Sequence, residues 1–392
     1  MSRLQRLLLI TVSESFSTIL IERGIYFYTH HRPELAFSDT QNLWLALGFG
    51  IAYAIGAFAS HRLSVRATEK GVLVVALVAQ LLTQLALCVW VGPYTLAVGN
   101  AAIGLLSGLK WPLIESYVAA GQTPKSQAKV IGWFNLSWAV PTALAVAAAG
   151  PLIAWRAEGL FAAAALMNAI SLVLVRPLER RAVHLPLDHP ERPRPAEMAR
   201  YQGLLAASRW SMLSKYSLMW ILAALLPGVF AGLGVESVVA ATALASLLEA
   251  FRCVAFLTLH LWRGWHHRVG PLVWIIVGLP AGFFLALFGP NLAVVLAGEL
   301  LFGLAAGMTY YAALYYAMVV KNASVDAGGA HEGLIGTGFA IGPVAGLVGN
   351  GLAPMVGGAV LGRILGIGPV VVVCAVGAVA SLVKVARTGP PV

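Results

Sequence analysis

Charge is what this 392-residue chain has least of. Asp, Glu, Lys and Arg together make up 11% of it against 59% hydrophobic residues, and mean hydropathy is +0.82. That excludes an ordinary soluble domain, where about a quarter of residues are charged. Cysteine is nearly absent as well. Cys88, Cys253 and Cys374 all sit in apolar runs, and an odd count without extracellular pairs excludes a disulfide framework. No Gly-rich phosphate loop and no Ser/His/Asp order occurs, which argues against an ATP-driven pump. His30-His31 and His266-His267 have no third Cys, His or carboxylate at ligand spacing, so no metal and no cofactor is expected.

Long apolar runs are what the chain has instead. Twelve of them, at 6–29, 40–60, 71–92, 94–120, 128–150, 156–175, 203–231, 236–260, 269–288, 290–319, 333–358 and 362–384, are long enough to cross a bilayer as helices. With the N-terminus placed in the cytoplasm, 18 Lys and Arg fall in cytoplasmic segments, and three, Arg32, Arg156 and Arg363, fall outside. This bias predicts a multi-pass protein of the plasma (inner) membrane with both termini cytoplasmic. The net charge of +10 therefore reports topology and contact with anionic lipid, and no nucleic-acid partner is expected. Arg3 and Arg6 ahead of Leu7-Leu8-Leu9-Ile10 superficially resemble a signal peptide. Glu14, Glu22 and Arg23 follow with no small-residue cleavage site, so the segment reads as a retained first span.

A proline-rich, mixed-charge stretch from Arg176 to Arg200 divides the spans six and six. The expected organisation is a bundle at 1–178, a cytoplasmic linker at 179–200 and a second bundle at 201–392. The halves are related. Gly99, Gly104, Leu105 and Gly108 of the fourth span match Gly298, Gly303, Leu304 and Gly307 of the tenth at one constant offset. In that register Trp111 falls on Tyr310 and Tyr117 on Tyr316. Ile131-Gly132 likewise echoes Ile335-Gly336.

With twelve spans, cytoplasmic termini, a central cytoplasmic loop and related halves, the whole chain resembles the major facilitator superfamily. Gly56-Ala57-Phe58-Ala59-Ser60-His61-Arg62-Leu63-Ser64-Val65-Arg66 stands where that family carries its loop signature, with Ser60 replacing the expected Asp and Leu63 the second Gly. Asn100 and Glu299 stand where the family places an Arg at the start of the fourth span and its repeat. Gly338 to Gly346 matches a Gly-Pro motif of proton antiporters, but on the eleventh span rather than the fifth. Glu22-Arg23-Gly24-Ile25-Tyr26-Phe27-Tyr28 faintly resembles proton-coupled peptide transporters without their upstream Glu. The resemblance implies an all-α integral membrane fold of two pseudo-symmetric six-helix bundles. In it the third, sixth, ninth and twelfth spans lie outermost, and these four carry no ionisable residue away from their ends.

Ionisable residues deep in hydrocarbon cost several kcal/mol and normally face a bundle interior or a watery path. Glu22, beside Arg23, is the leading candidate for proton coupling, with a permanent ion pair as its alternative; Glu14 and Glu299 are the other candidate acids. Lys110 lies about 200° around the helix from Gly108. If the glycine face packs on a neighbour, Lys110 faces a cavity, where it would hold an anionic group or pair with Glu22. Trp111, Trp133, Tyr310 and Tyr311 are candidate substrate contacts, since Trp and Tyr at mid-depth need polar partners. Glu115 reads as a gate or interface residue, and Lys215 or Arg209 as a gate partner for Glu14. Glu249 and Arg252, three apart, read as an ion pair on one helix face.

Together these features predict a secondary active transporter and not an enzyme. It would move a small organic solute by alternating access, coupled to protons and with export favoured over uptake. A lipid flippase or scramblase on the same scaffold is the alternative, and an integral-membrane enzyme using His61 or His260 a remote one. The expected partners are the solute, protons and membrane lipid, and the chain is expected to act as a monomer.

Overall fold

The computed structural model describes residues 1–121, 124–183, 194–321 and 325–387. Residues 184–193 of the expected linker lie outside that set, as do the side chains of Lys125 and Lys321. Among the described residues there are thirteen α-helices, two short 3-10 turns and no strand. The helices are α1 (Arg3–Glu22), α2 (Gly24–His31), α3 (Asp39–Ala67), α4 (Glu69–Val89), α5 (Pro93–Ala119), α6 (Pro124–Trp155), α7 (Gly159–Val175), α8 (Met198–Gly232), α9 (Val238–Leu261), α10 (Gly270–Phe288), α11 (Leu292–Lys321), α12 (Val325–Val356) and α13 (Ala359–Arg387).

These correspond to the twelve expected spans, with α1 and α2 together forming the first. Arg23, at φ −114° and ψ −42°, separates the two. Eleven segments are long and apolar enough to cross a membrane, and α7, at 17 residues, is the short one. At 1.5 Å per residue α7 still extends about 26 Å, close to a hydrocarbon core of about 30 Å. Helix starts follow from local chemistry. Ser2 with Gln5 and Ser38 with Gln41 form capping boxes, and Pro93 opens α5 where its missing N–H costs nothing.

Two sets of six spans pack among themselves, α3 on α5 and α1 on α6 and α7 in the first, α9 and α10 on α11 and α12 and α13 on α8 in the second. The two sets meet chiefly through α3 with α12 and α6 with α9. The outer helices turn apolar side chains outward, with Val75 and Leu82 of α4 and Val372 and Val376 of α13 exposed. In water such a surface would be unfavourable, and in lipid it is the solvated face.

The repeated glycines do matching work. A Cβ on Gly108 would lie 2.1 Å from the Tyr53 carbonyl oxygen, and one on Gly104 2.6 Å from that of Phe49, so α5 meets α3 backbone to backbone. In the second half a Cβ on Gly303 would lie 2.3 Å from the Leu248 carbonyl, and one on Gly307 2.8 Å from that of Arg252, which brings α11 onto α9. Small residues allow close helix approach where hydrocarbon offers no hydrophobic drive for association.

Candidate functional site

A cavity of about 90 Å³, room for several waters, lies between the two sets of helices. Its wall comes from α1, α3, α5 and α6 on one side and α8, α9, α11 and α12 on the other. The outer helices α4, α7, α10 and α13 contribute none of the lining residues, as their lack of deep charge foretold.

Arg23 and Glu249 join the halves across this cavity. The Arg23 guanidinium donates to the Met219 carbonyl at 3.2 Å, approaches Glu249 to 3.6 Å and Glu22 to 3.9 Å, and lies 4.9 Å from the Trp220 ring centroid. Glu249 is also paired with Arg252 at 2.6 Å, and Arg252 lies 4.7 Å from the centroid of Trp138. The expected Glu249–Arg252 pair is therefore present, and it is extended by a cation from the opposite half. Two acids and two guanidiniums balance, and each guanidinium rests on an indole. Buried charges persist only when paired in this way, and the aromatic faces add cation–π attraction.

A second cluster lies nearer the face that carries both chain ends. Glu332 of α12 accepts a hydrogen bond from the Tyr53 hydroxyl of α3, and Glu115 of α5 lines the same cavity from the opposite half. All three residues line the cavity. Below its aromatic wall is Lys215, fully buried. Its Nζ is 3.9 Å from the Tyr216 ring centroid and 5.1 Å from that of Tyr310, with no hydrogen-bond partner among the described residues. Glu332, Tyr53 and Tyr216 were missed from sequence. Glu332 lies one residue before the apolar run that begins at 333, and the run's edge hid a helix that continues to Val325.

Several residues lie elsewhere than expected. Lys110 does point away from the glycine face, but into its own bundle, where it donates to Glu14 at 2.5 Å, Thr18 at 2.6 Å and Gln80 at 2.8 Å. It is absent from the cavity wall, and it takes Glu14 out of reach of a gate with Lys215 or Arg209. Trp133 is 52% exposed and points away from the cavity. Tyr311 packs on the rings of Phe256 and Trp265 instead of the wall. Glu299 is fully buried, and neither carboxyl oxygen has a hydrogen-bond partner among the described residues. Of the four expected aromatic contacts, Trp111 and Tyr310 line the cavity.

At the opposite face the halves are tied again. Arg363 at the start of α13 donates to Asp39 at the start of α3 at 2.6 Å, and Asn350 reaches Thr40 at 3.1 Å. The cavity thus has cross-half contacts both above and below it, an arrangement suited to holding a solute out of reach of either side.

A sequence model described as the Major Facilitator Superfamily matches residues 8–347. Similar solved structures include a POT family transporter in complex with 5-aminolevulinic acid, at 13% identity and TM-score 0.74, covering 98% of this chain and 96% of that one. A bacterial homolog of the human lysosomal transporter Spinster, in an inward-facing and unoccupied conformation, matches at 15% identity and TM-score 0.67, covering 98% and 96%. A mutant of the nucleoside transporter NupG matches at 14% and 0.66, covering 97% and 100%. At these identities the structures share the fold. No curated protein matches the sequence.

Proposed function

The chain belongs to the Major Facilitator Superfamily, and from that premise we propose that it is a proton-coupled secondary transporter that exports a small organic solute by alternating access. The observation that carries this reading is the Glu22, Arg23, Glu249 and Arg252 network, a set of buried charges that spans the two halves at a small cavity. Charges so placed are useful where a polar solute must shed water and where contacts across the halves must break and re-form. Trp111, Trp138 and Tyr310 supply amphipathic walls for the organic part of the solute. The basic bias supports an orientation with both termini and the linker cytoplasmic, which puts the Glu115–Glu332 end of the cavity toward the cytoplasm. The segments 1–178 and 201–392 are then the bodies that rock.

The test starts from purified protein screened by thermal shift against a metabolite and drug collection, since a solute that binds the folded state raises its melting temperature. A hit is then followed as flux in proteoliposomes. Accumulation driven by an imposed pH gradient and collapsed by an uncoupler is expected. Flux indifferent to the uncoupler would remove proton coupling, and robust phospholipid movement with no pH response would favour the flippase alternative.

A further inference from the structure

We propose that the coupled proton is held between Glu115 and Glu332, and that Lys215 replaces it when it leaves. The inference rests on the transporter reading and names the proton site within it. Glu115 and Glu332 bring two carboxyls into one buried cavity from opposite sides, and two carboxylates sharing such a site repel unless one proton is held between them. Their helices belong to opposite halves, α5 and α12, so that proton is also a bond between the halves. The Tyr53 hydroxyl donates to the same Glu332 and fixes its orientation.

The second observation is Lys215. Lys215 is fully buried with no hydrogen-bond partner for its Nζ among the described residues, and carrying a charge there is costly until a counter-ion reaches it. Glu332 is within its electrostatic reach, as are Glu249 and, with the opposite sign, Arg252 and Arg23. Among the described residues, the other titratable or charged neighbours include the hydroxyls of Tyr216 and Tyr310, Glu22, and the His331 ring, which packs edge-on to Tyr310 and lies near Arg209.

The step balances simply. The proton leaves the Glu115–Glu332 pair to the cytoplasm, two carboxylates remain, and the cross-half bond is lost. Lys215 takes Glu332 as its counter-ion, and Glu115 turns to water in the opened cavity. Proton return reverses each change. Acid therefore favours the state closed at the cytoplasmic end. Glu22, 3.9 Å from Arg23, belongs to the separate network of two acids and two guanidiniums.

The experiment needs no solute. Spin labels on cysteines at Arg62 and Arg268, in a background with Cys88, Cys253 and Cys374 replaced, report the separation of the halves at that face. The short-distance population is expected to rise on going from about pH 8 to about pH 5, by up to tenfold per pH unit for one linked proton. Glu332→Gln and Glu115→Gln are expected to hold the short distance throughout, because an amide donates to the partner carboxylate permanently. Lys215→Gln, which offers Glu332 no charge, should retain the short distance to higher pH than the unmodified protein. Gel-filtration profile and melting temperature show that each variant is folded. Wild-type titration in both glutamine variants overturns the proton site while leaving alternating access standing. Two distances that ignore pH in the unmodified protein do the same. A single distance in every variant and condition overturns the transporter reading as well.

Discussion

Replacing Lys110 by Met tests whether the ion pair inside the first bundle is a true charge pair. Both side chains are fully shielded, and Lys110 is hydrogen-bonded to Glu14, Thr18 and Gln80 at 2.5, 2.6 and 2.8 Å. Removing the ammonium strands the Glu14 carboxylate, and loss of one partner from a buried pair costs about 3–5 kcal/mol. Loss of an ordinary interhelical hydrogen bond in a membrane protein averages only about 0.6 kcal/mol. Lys110 makes three such bonds, about 2 kcal/mol together, so the two accounts differ by about 1–3 kcal/mol. The assay is reversible unfolding of the purified protein in mixed micelles, carried out as a cycle of Lys110→Met, Glu14→Gln and the double variant. The expected result is two badly destabilised single variants and a double variant that recovers most of the loss, because no charge is left unpaired. A Lys110→Met cost under about 1 kcal/mol would refute the ion-pair account. A double variant as unstable as the sum of the singles would refute it equally.

Gly108→Ala and Gly307→Ala should each destabilise the protein by about 1–3 kcal/mol, since the added methyl meets the Tyr53 carbonyl oxygen or the Ala255 side chain. Gly48→Ala, with nothing within 4 Å, should instead stabilise α3 by roughly 0.5–1 kcal/mol; melting temperatures compare all three. Arg363→Gln removes the tie to Asp39 and should speed modification of a cysteine placed at Thr142 in the cavity wall by about fivefold, the equivalent of about 1 kcal/mol for a partly exposed pair. An unchanged rate would show that this pair does not hold that face closed.

The fold was legible because hydrocarbon leaves so few options. Run length identifies the spans, basic residues suggest orientation, and the glycine repeat shows that the halves are related. The site was legible where one helix decided it, as with Glu249 and Arg252 three residues apart, or the Glu22-Arg23 step. It failed where two helices decide. The glycine argument gave the correct side of α5 for Lys110, but one sequence cannot show that Gln80 and Glu14 already occupy the space that side faces. Trp133 is one residue from a matched glycine and still faces outward, because repeat matching sets a register and leaves neighbours unspecified. Glu332 was lost for another reason: hydropathy marks where a helix leaves lipid, while a polar cavity lets a functional carboxyl sit beyond that edge.

The first span is broken at Arg23, the residue that reaches across to Glu249 and Met219. A joint and its clamp thus share one amino acid. The outer piece, α2, is 8 residues and about 12 Å long, and it bears on α8 and α9 of the other half as well as on α6. Were Arg23 to exchange one carboxylate for another, a tilt of about 10° at the joint would swing the far end of α2 by about 2 Å, roughly the margin between a sealed interface and one that admits water. An event at these buried charges would reach the face that carries Asp39 and Arg363 by leverage, along a single short rod and without refolding anything between.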